Sequence, residues 1–250
     1  MAQLMRTSNP ALSEKAFSGQ PAAFGDAMTL NGTVNKTGVL LLCAVATAAW
    51  TWHLFEQTHA AASVTPWIMI GTIGGFILAM VTVFKKEWAA ATAPAYALLE
   101  GLALGGISAV VDLRFPGIAI QAVGLTFLTL FVLLLAYRSG MIRVTQRFRM
   151  GVVAATGAII LLYVAEFVLG FFGVHFAAIN GSGTFGIVVS LVIVAVAALN
   201  LVLDFDFIES GVKAGAPKYM EWYGAFGLMI TLVWLYLEIL RLMTKLRGRD

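Results

Sequence analysis

Seven stretches of mostly apolar residues take up nearly the whole chain, at about 37–55, 63–84, 91–111, 118–137, 151–173, 184–208 and 222–243. Each has about the length a helix needs to cross the hydrocarbon core of a bilayer. A helix is favoured there because it satisfies its own backbone where no water can. The connections are short and carry turn signals: Thr65-Pro66, Ala93-Pro94, Phe115-Pro116-Gly117, Ser139-Gly140, Asn180-Gly181-Ser182-Gly183 and Ala216-Pro217. With 60% hydrophobic and only 12% charged residues, the chain is not a soluble globular domain. The expectation is an all-α integral membrane protein, a seven-transmembrane-helix bundle over residues 37–246. Residues 1–36 read as a flexible polar tail without the apolar core of a signal peptide, so the first span acts as the insertion signal.

Basic residues set the expected orientation. The tail carries Arg6, Lys15 and Lys36, and alternate connections carry Lys85 and Lys86, then Arg138, Arg143, Arg147 and Arg149, then Lys213 and Lys218. The other three connections hold only Arg114, which predicts a cytoplasmic amino terminus. Arg241, Lys245, Arg247 and Arg249 conflict with that rule if the seventh segment crosses fully. Either that segment is a partial span or the earlier charges outvote its end. The net charge of +3 is scattered between apolar segments, so no nucleic-acid partner is expected. Cys43 is the lone cysteine and reads as an inert buried thiol. Gly71-x-x-x-Gly75 and Gly101-x-x-x-Gly105 each set two glycines on one helix face, where neighbouring backbones can approach.

Function is hinted at by acids. Glu100, Glu166, Asp204 and Glu238 lie inside or at the inner edge of apolar stretches, with no Lys or Arg mid-stretch. Each such carboxyl costs about 2.5–3.5 kcal/mol to insert, so it serves a function or is satisfied inside the bundle. Acids without a basic partner can hold a cation or pass protons. On the sixth segment Asn200 and Asp204, at i and i+4, form one stripe, while Asp206 and Ser210 form another facing the cytoplasmic surface. The competing reading is that both aspartates only terminate the helix. On the seventh, Thr231, Trp234, Glu238 and Arg241 form a single stripe, and Arg241 offers Glu238 a local partner. Glu100 and Glu166 read equally as path-lining groups or as structural carboxyls.

Catalysis is not expected. His53, His59 and His175 lack metal-ligand spacing, and no histidine follows Gly181-Ser182-Gly183 to activate the serine. The one close aspartate pair sits on one helix, unlike an intramembrane aspartyl protease. No cofactor is expected either.

Leu203-Asp204-Phe205-Asp206-Phe207-Ile208 and Leu235-Tyr236-Leu237-Glu238-Ile239 resemble motifs of the Bax inhibitor family, in its bacterial YccA-like branch. Asn31-Gly-Thr-Val-Asn-Lys-Thr37 and Gly215-Ala-Pro-Lys-Tyr-Met-Glu-Trp-Tyr-Gly-Ala-Phe226 strengthen the likeness, which covers nearly the whole chain. The resemblance implies a bacterial inner-membrane protein whose seventh helix is central and wrapped by the other six. It also implies a pH-sensitive calcium leak, gated by protonation of a carboxylate pair between helices six and seven. By motif that pair is Asp204 and Glu238, sharing a proton and holding calcium in transit, with Lys85 or Lys86 as a latch. Two close carboxylates cannot both ionise cheaply, which suits such a sensor. The seventh-helix acid is Glu where relatives commonly carry Asp, and the stretch separating the pair is longer. The two meet only if helix six runs past Ile208 or an interfacial piece precedes helix seven. The alternative is a membrane interaction protein that modulates another membrane protein, such as a quality-control protease, with the tail as its handle.

Overall fold

The computed structural model describes residues 27–173 and 181–248. Most of the expected polar tail lies outside them. Among the described residues the chain forms seven long helices: α1 (Leu30–Thr58), α2 (Ala61–Phe84), α3 (Ala89–Arg114), α4 (Ile118–Arg138), α5 (Gln146–Gly170), α6 (Thr184–Lys213) and α7 (Met220–Arg247). All seven are long and apolar enough to cross a membrane. A short 3-10 turn, Lys86–Trp88, joins α2 to α3.

Several boundaries differ from the sequence reading. Helix α1 starts at Leu30, so residues 30–36 are helix and not tail. Its start is fixed by Thr29, whose side chain accepts from Gly32 N. Pro66 and Pro94, read as turn residues, lie inside α2 and α3 just past the first turn, each forgoing one helical hydrogen bond. The Phe115-Pro116-Gly117 turn forms as expected. Gly117 takes φ 79°, a left-handed conformation that glycine adopts without penalty. Across that turn the Asp112 carboxylate accepts from Ala119 N at 3.2 Å, capping the start of α4.

Helix α7 is the core of the bundle. Of its most apolar stretch 67% is buried, against 11–44% for the other six helices. It packs on α1, α3, α4 and α6. Around it the outer helices turn Leu42, Phe76, Ile120 and Leu161 outward, as bilayer contact requires. The glycine spacings do what the sequence suggested. A Cβ on Gly101 would overlap Thr47 and Ala44 O of α1, and one on Gly105 would overlap Thr51 and Ala48 O. Helices α1 and α3 therefore touch backbone to backbone.

Alternation of seven spans puts the start of α1 and the end of α6 on one face, the amino-terminal face. The end of α7 emerges on the other. Helix α7 is long and apolar enough to cross fully. Its basic residues make contacts within the bundle. Arg247 donates to Pro116 O at 2.8 Å and to Gln121 at 3.0 Å, and Arg241 donates to Tyr163 Oη at 2.7 Å. Lys245 is buried, donating to Gly186 O at 3.2 Å and Ser190 Oγ at 2.8 Å. Of these cations Lys245 is buried, whereas Arg241 stays exposed while making its contacts.

Candidate functional site

The register of α6 against α7 decides which acids meet. Near the amino-terminal face Ile208 lies beside Gly224, and at the far end Lys245 reaches Gly186 and Ser190. The helices are thus antiparallel along their length, with paired positions whose numbers sum to about 431–435. Asp204 is level with about Gly227–Thr231, and Glu238 with about Ile193–Ala197. Helix α6 does continue past Ile208, to Lys213. Even so, the two residues lie about 10–16 Å apart along the axis. The long α7 has carried Glu238 beyond the level of Asp204, so the two do not meet in this conformation.

Each is nonetheless deeply enclosed. Asp204 is 1% exposed and shares its stripe with Asn200, whose side-chain amide donates to Thr156 Oγ1 of α5 at 2.8 Å. Glu238 is 2% exposed. Its Oε1 accepts from Tyr163 Oη of α5 at 2.6 Å and from Arg241 at 3.5 Å. Its Oε2 is buried without a hydrogen bond. The local Arg241 partner anticipated from sequence is present, joined by Tyr163 of α5, which the sequence reading did not link to Glu238.

Asp206 is not simply solvated. It pairs with Arg149 of α5 at 2.5 Å, while remaining the more exposed of the two aspartates. Glu209 accepts from Tyr137 of α4 and pairs with Lys213, each at 2.5 Å. Glu100, half-buried on α3, lies one turn on from Tyr96 and faces Gly75 of α2. Glu166 is half-buried on α5 and lies within electrostatic reach of Lys245. Lys85 is exposed, and the Lys86 ammonium lies over the Tyr223 ring at 5.9 Å. Among the described residues no three acidic, histidine or cysteine side chains converge as a metal site.

Sequence reasoning missed Glu221, in the first turn of α7 and 1% exposed. Its carboxylate accepts from Thr29 N at 2.9 Å and Thr29 Oγ1 at 2.8 Å and pairs with Lys36. Gly32 leaves the room, since a Cβ there would overlap that carboxylate. Met28 N also donates to Ala216 O at 2.6 Å. The start of α1 is thereby clamped to the α6–α7 corner.

A crevice of about 410 Å³ opens between α1, α3, α4 and α7, lined by apolar groups such as Val45, Ile120, Phe127 and Leu232. Its polar spot is the 2.6 Å hydrogen bond between Ser108 Oγ and Tyr236 Oη. Such a wall suits hydrocarbon and offers an ion nothing. Tyr236→Phe is expected to lower stability by about 1 kcal/mol, because Ser108 keeps Leu104 O as a partner. Thermal unfolding in detergent would read this, and a loss of several times that size would mean the bond anchors more than itself.

Searches of curated proteins and of solved structures each returned no match. A family model described as Bax inhibitor 1 like matches residues 9–248. That match covers almost the entire chain and every helix described above, and the chain belongs to the Bax inhibitor 1 like family of membrane proteins.

Proposed function

We propose that this protein is a pH-sensitive cation leak of a bacterial inner membrane, passing calcium, with its amino-terminal face cytoplasmic. The observation that carries the reading is the burial of Asp204 and Glu238, at 1% and 2% exposure, inside helices that cross the bilayer. Intramembrane acids are expensive and mark ion or proton routes. Support for the orientation comes from Lys and Arg, which crowd the connections on the amino-terminal face while the opposite cations are held in contacts.

The two acids act as separate sensors at separate depths. Asp204 carries charge only when ionised, so pH sets whether a passing cation meets an anion or a neutral acid. Glu238 is compensated by Arg241 and tied to Tyr163, so its protonation weakens the hold of α5 on α7. Calcium is cargo here, meeting carboxylate and carbonyl oxygens in transit.

The test is calcium influx into dye-loaded vesicles for wild type, Asp204→Asn, Glu238→Gln and the double variant, across pH. Separate sensors predict that each single substitution changes the pH profile and that the double variant multiplies the two effects. A double variant no different from either single one would mean a shared-proton pair instead. Wild-type vesicles that match empty ones at every pH sink the leak, and the search then turns to a membrane protein partner.

A further inference from the structure

Helix α5 is the least enclosed of the seven, with 11% of its most apolar stretch buried. Among its residues only Val152 and Thr156 are fully buried. It packs against α6, and apart from Val152 the contacts that join it to the bundle are polar. Arg149 pairs with Asp206 at 2.5 Å, and Thr156 Oγ1 accepts from Asn200 at 2.8 Å. Tyr163 Oη donates to Glu238 at 2.6 Å and accepts from Arg241 at 2.7 Å.

Positions 149, 156 and 163 recur every seven residues, so they lie on one stripe of α5 with rungs about 10 Å apart. At the far end Glu166 comes within electrostatic reach of Lys245, which also donates to Ser190. From Arg149 to Glu166 this polar line runs about 25 Å along the helix, most of the roughly 30 Å hydrocarbon core. By the same antiparallel register Asp204 is level with about Val152, between the first two rungs. The buried Glu238 Oε2, which accepts no hydrogen bond, lies beside the third rung.

A seam made only to hold two membrane helices together needs small residues and an occasional hydroxyl or amide. This one is charged at both ends and carries a spare carboxylate oxygen. It joins the bundle to the helix with the least apolar anchorage.

We propose that the aqueous path for cations runs along this seam, between α5 and the α6–α7 pair, and opens when α5 moves away and water replaces its polar rungs. Asp206, Asn200 and Glu238 then line one wall and present oxygens at successive depths. Thr156 and Tyr163 line the other, and Arg149 closes the amino-terminal end. The proposal rests on the leak reading and adds where the ion passes.

Two measurements in a Cys43→Ala background test it. In the first, Thr156→Cys and Asn200→Cys are bridged across the seam with a short bis-methanethiosulfonate, which forms a reducible disulfide at each cysteine and releases sulfinate. Calcium influx is then compared before bridging, after it, and after reduction. We expect bridging to cut influx at least tenfold and reduction to restore it. Full bridging with unchanged influx overturns the proposal and leaves the leak itself standing. In the second, a charged, membrane-impermeant thiol reagent is applied to vesicles carrying Val152→Cys, on the seam, or Leu161→Cys, which faces lipid. Val152→Cys should react at least tenfold faster than Leu161→Cys at some pH between 6 and 8. Equal inertness throughout means the seam never hydrates, and the proposal fails whether or not the vesicles conduct. Absent influx alone would instead defeat the leak reading.

Discussion

Gly101→Ala is expected to leave little or no folded protein, although it adds a single methyl group. The new Cβ would collide with Thr47 Oγ1 and with the Ala44 carbonyl, and the second of these is backbone that no rotamer change can move. Relief requires α1 and α3 to separate, which breaks one of the most extensive contacts in the bundle. Overpacking a core costs about 1–3 kcal/mol where side chains yield, and more where they cannot. Gly105→Ala should behave the same way against Ala48 and Thr51. Gly124→Ala and Gly151→Ala meet nothing within 4 Å and should be silent. Size-exclusion profiles in detergent separate the cases. A monodisperse Gly101→Ala with wild-type unfolding temperature would mean that α1 and α3 do not pack as described.

Glu221→Ala should be the second severe change, at about 3 kcal/mol or more, the usual scale for removing one partner of a buried pair. The substitution leaves Thr29 N and Thr29 Oγ1 without their acceptor and Lys36 without its counter-ion. The start of α1 then comes away from the α6–α7 corner. Replacing both charges, Lys36→Met with Glu221→Met, should cost less than Glu221→Ala alone, because no uncompensated charge remains. Unfolding temperatures of the three proteins give the comparison. A double variant less stable than Glu221→Ala would mean that the pair contributes more than mutual neutralisation.

Much of the architecture was written in local features. Span length and composition identified seven helices, and the spacing of Gly101 and Gly105 identified a close helix contact. The stripe argument separated the enclosed Asp204 from the more exposed Asp206. What escaped was long-range. Glu221 looks like a boundary charge in sequence, since its partners Thr29 and Lys36 lie 192 and 185 positions away. Pro66 and Pro94 looked like turns because proline more often ends a helix than sits inside one. The relative depth of Asp204 and Glu238 depends on where α6 stops and α7 starts, and boundaries are the weakest part of a pattern-based reading. One signal was present and unused: Arg149, Thr156 and Tyr163 recur every seven residues along a mostly apolar helix. Their partners, Asp206, Asn200 and Glu238, had already been singled out.

The most direct measurement is calcium influx into dye-loaded vesicles carrying the wild-type protein, recorded from pH 6 to 8 beside empty vesicles and Asp204→Asn. Influx above the empty control that varies with pH is expected in the wild type, with a changed pH profile, its remaining variation owed to Glu238, when Asp204 can no longer ionise. Influx equal to the empty control at every pH, or a pH profile that Asp204→Asn leaves unchanged, would contradict this reading.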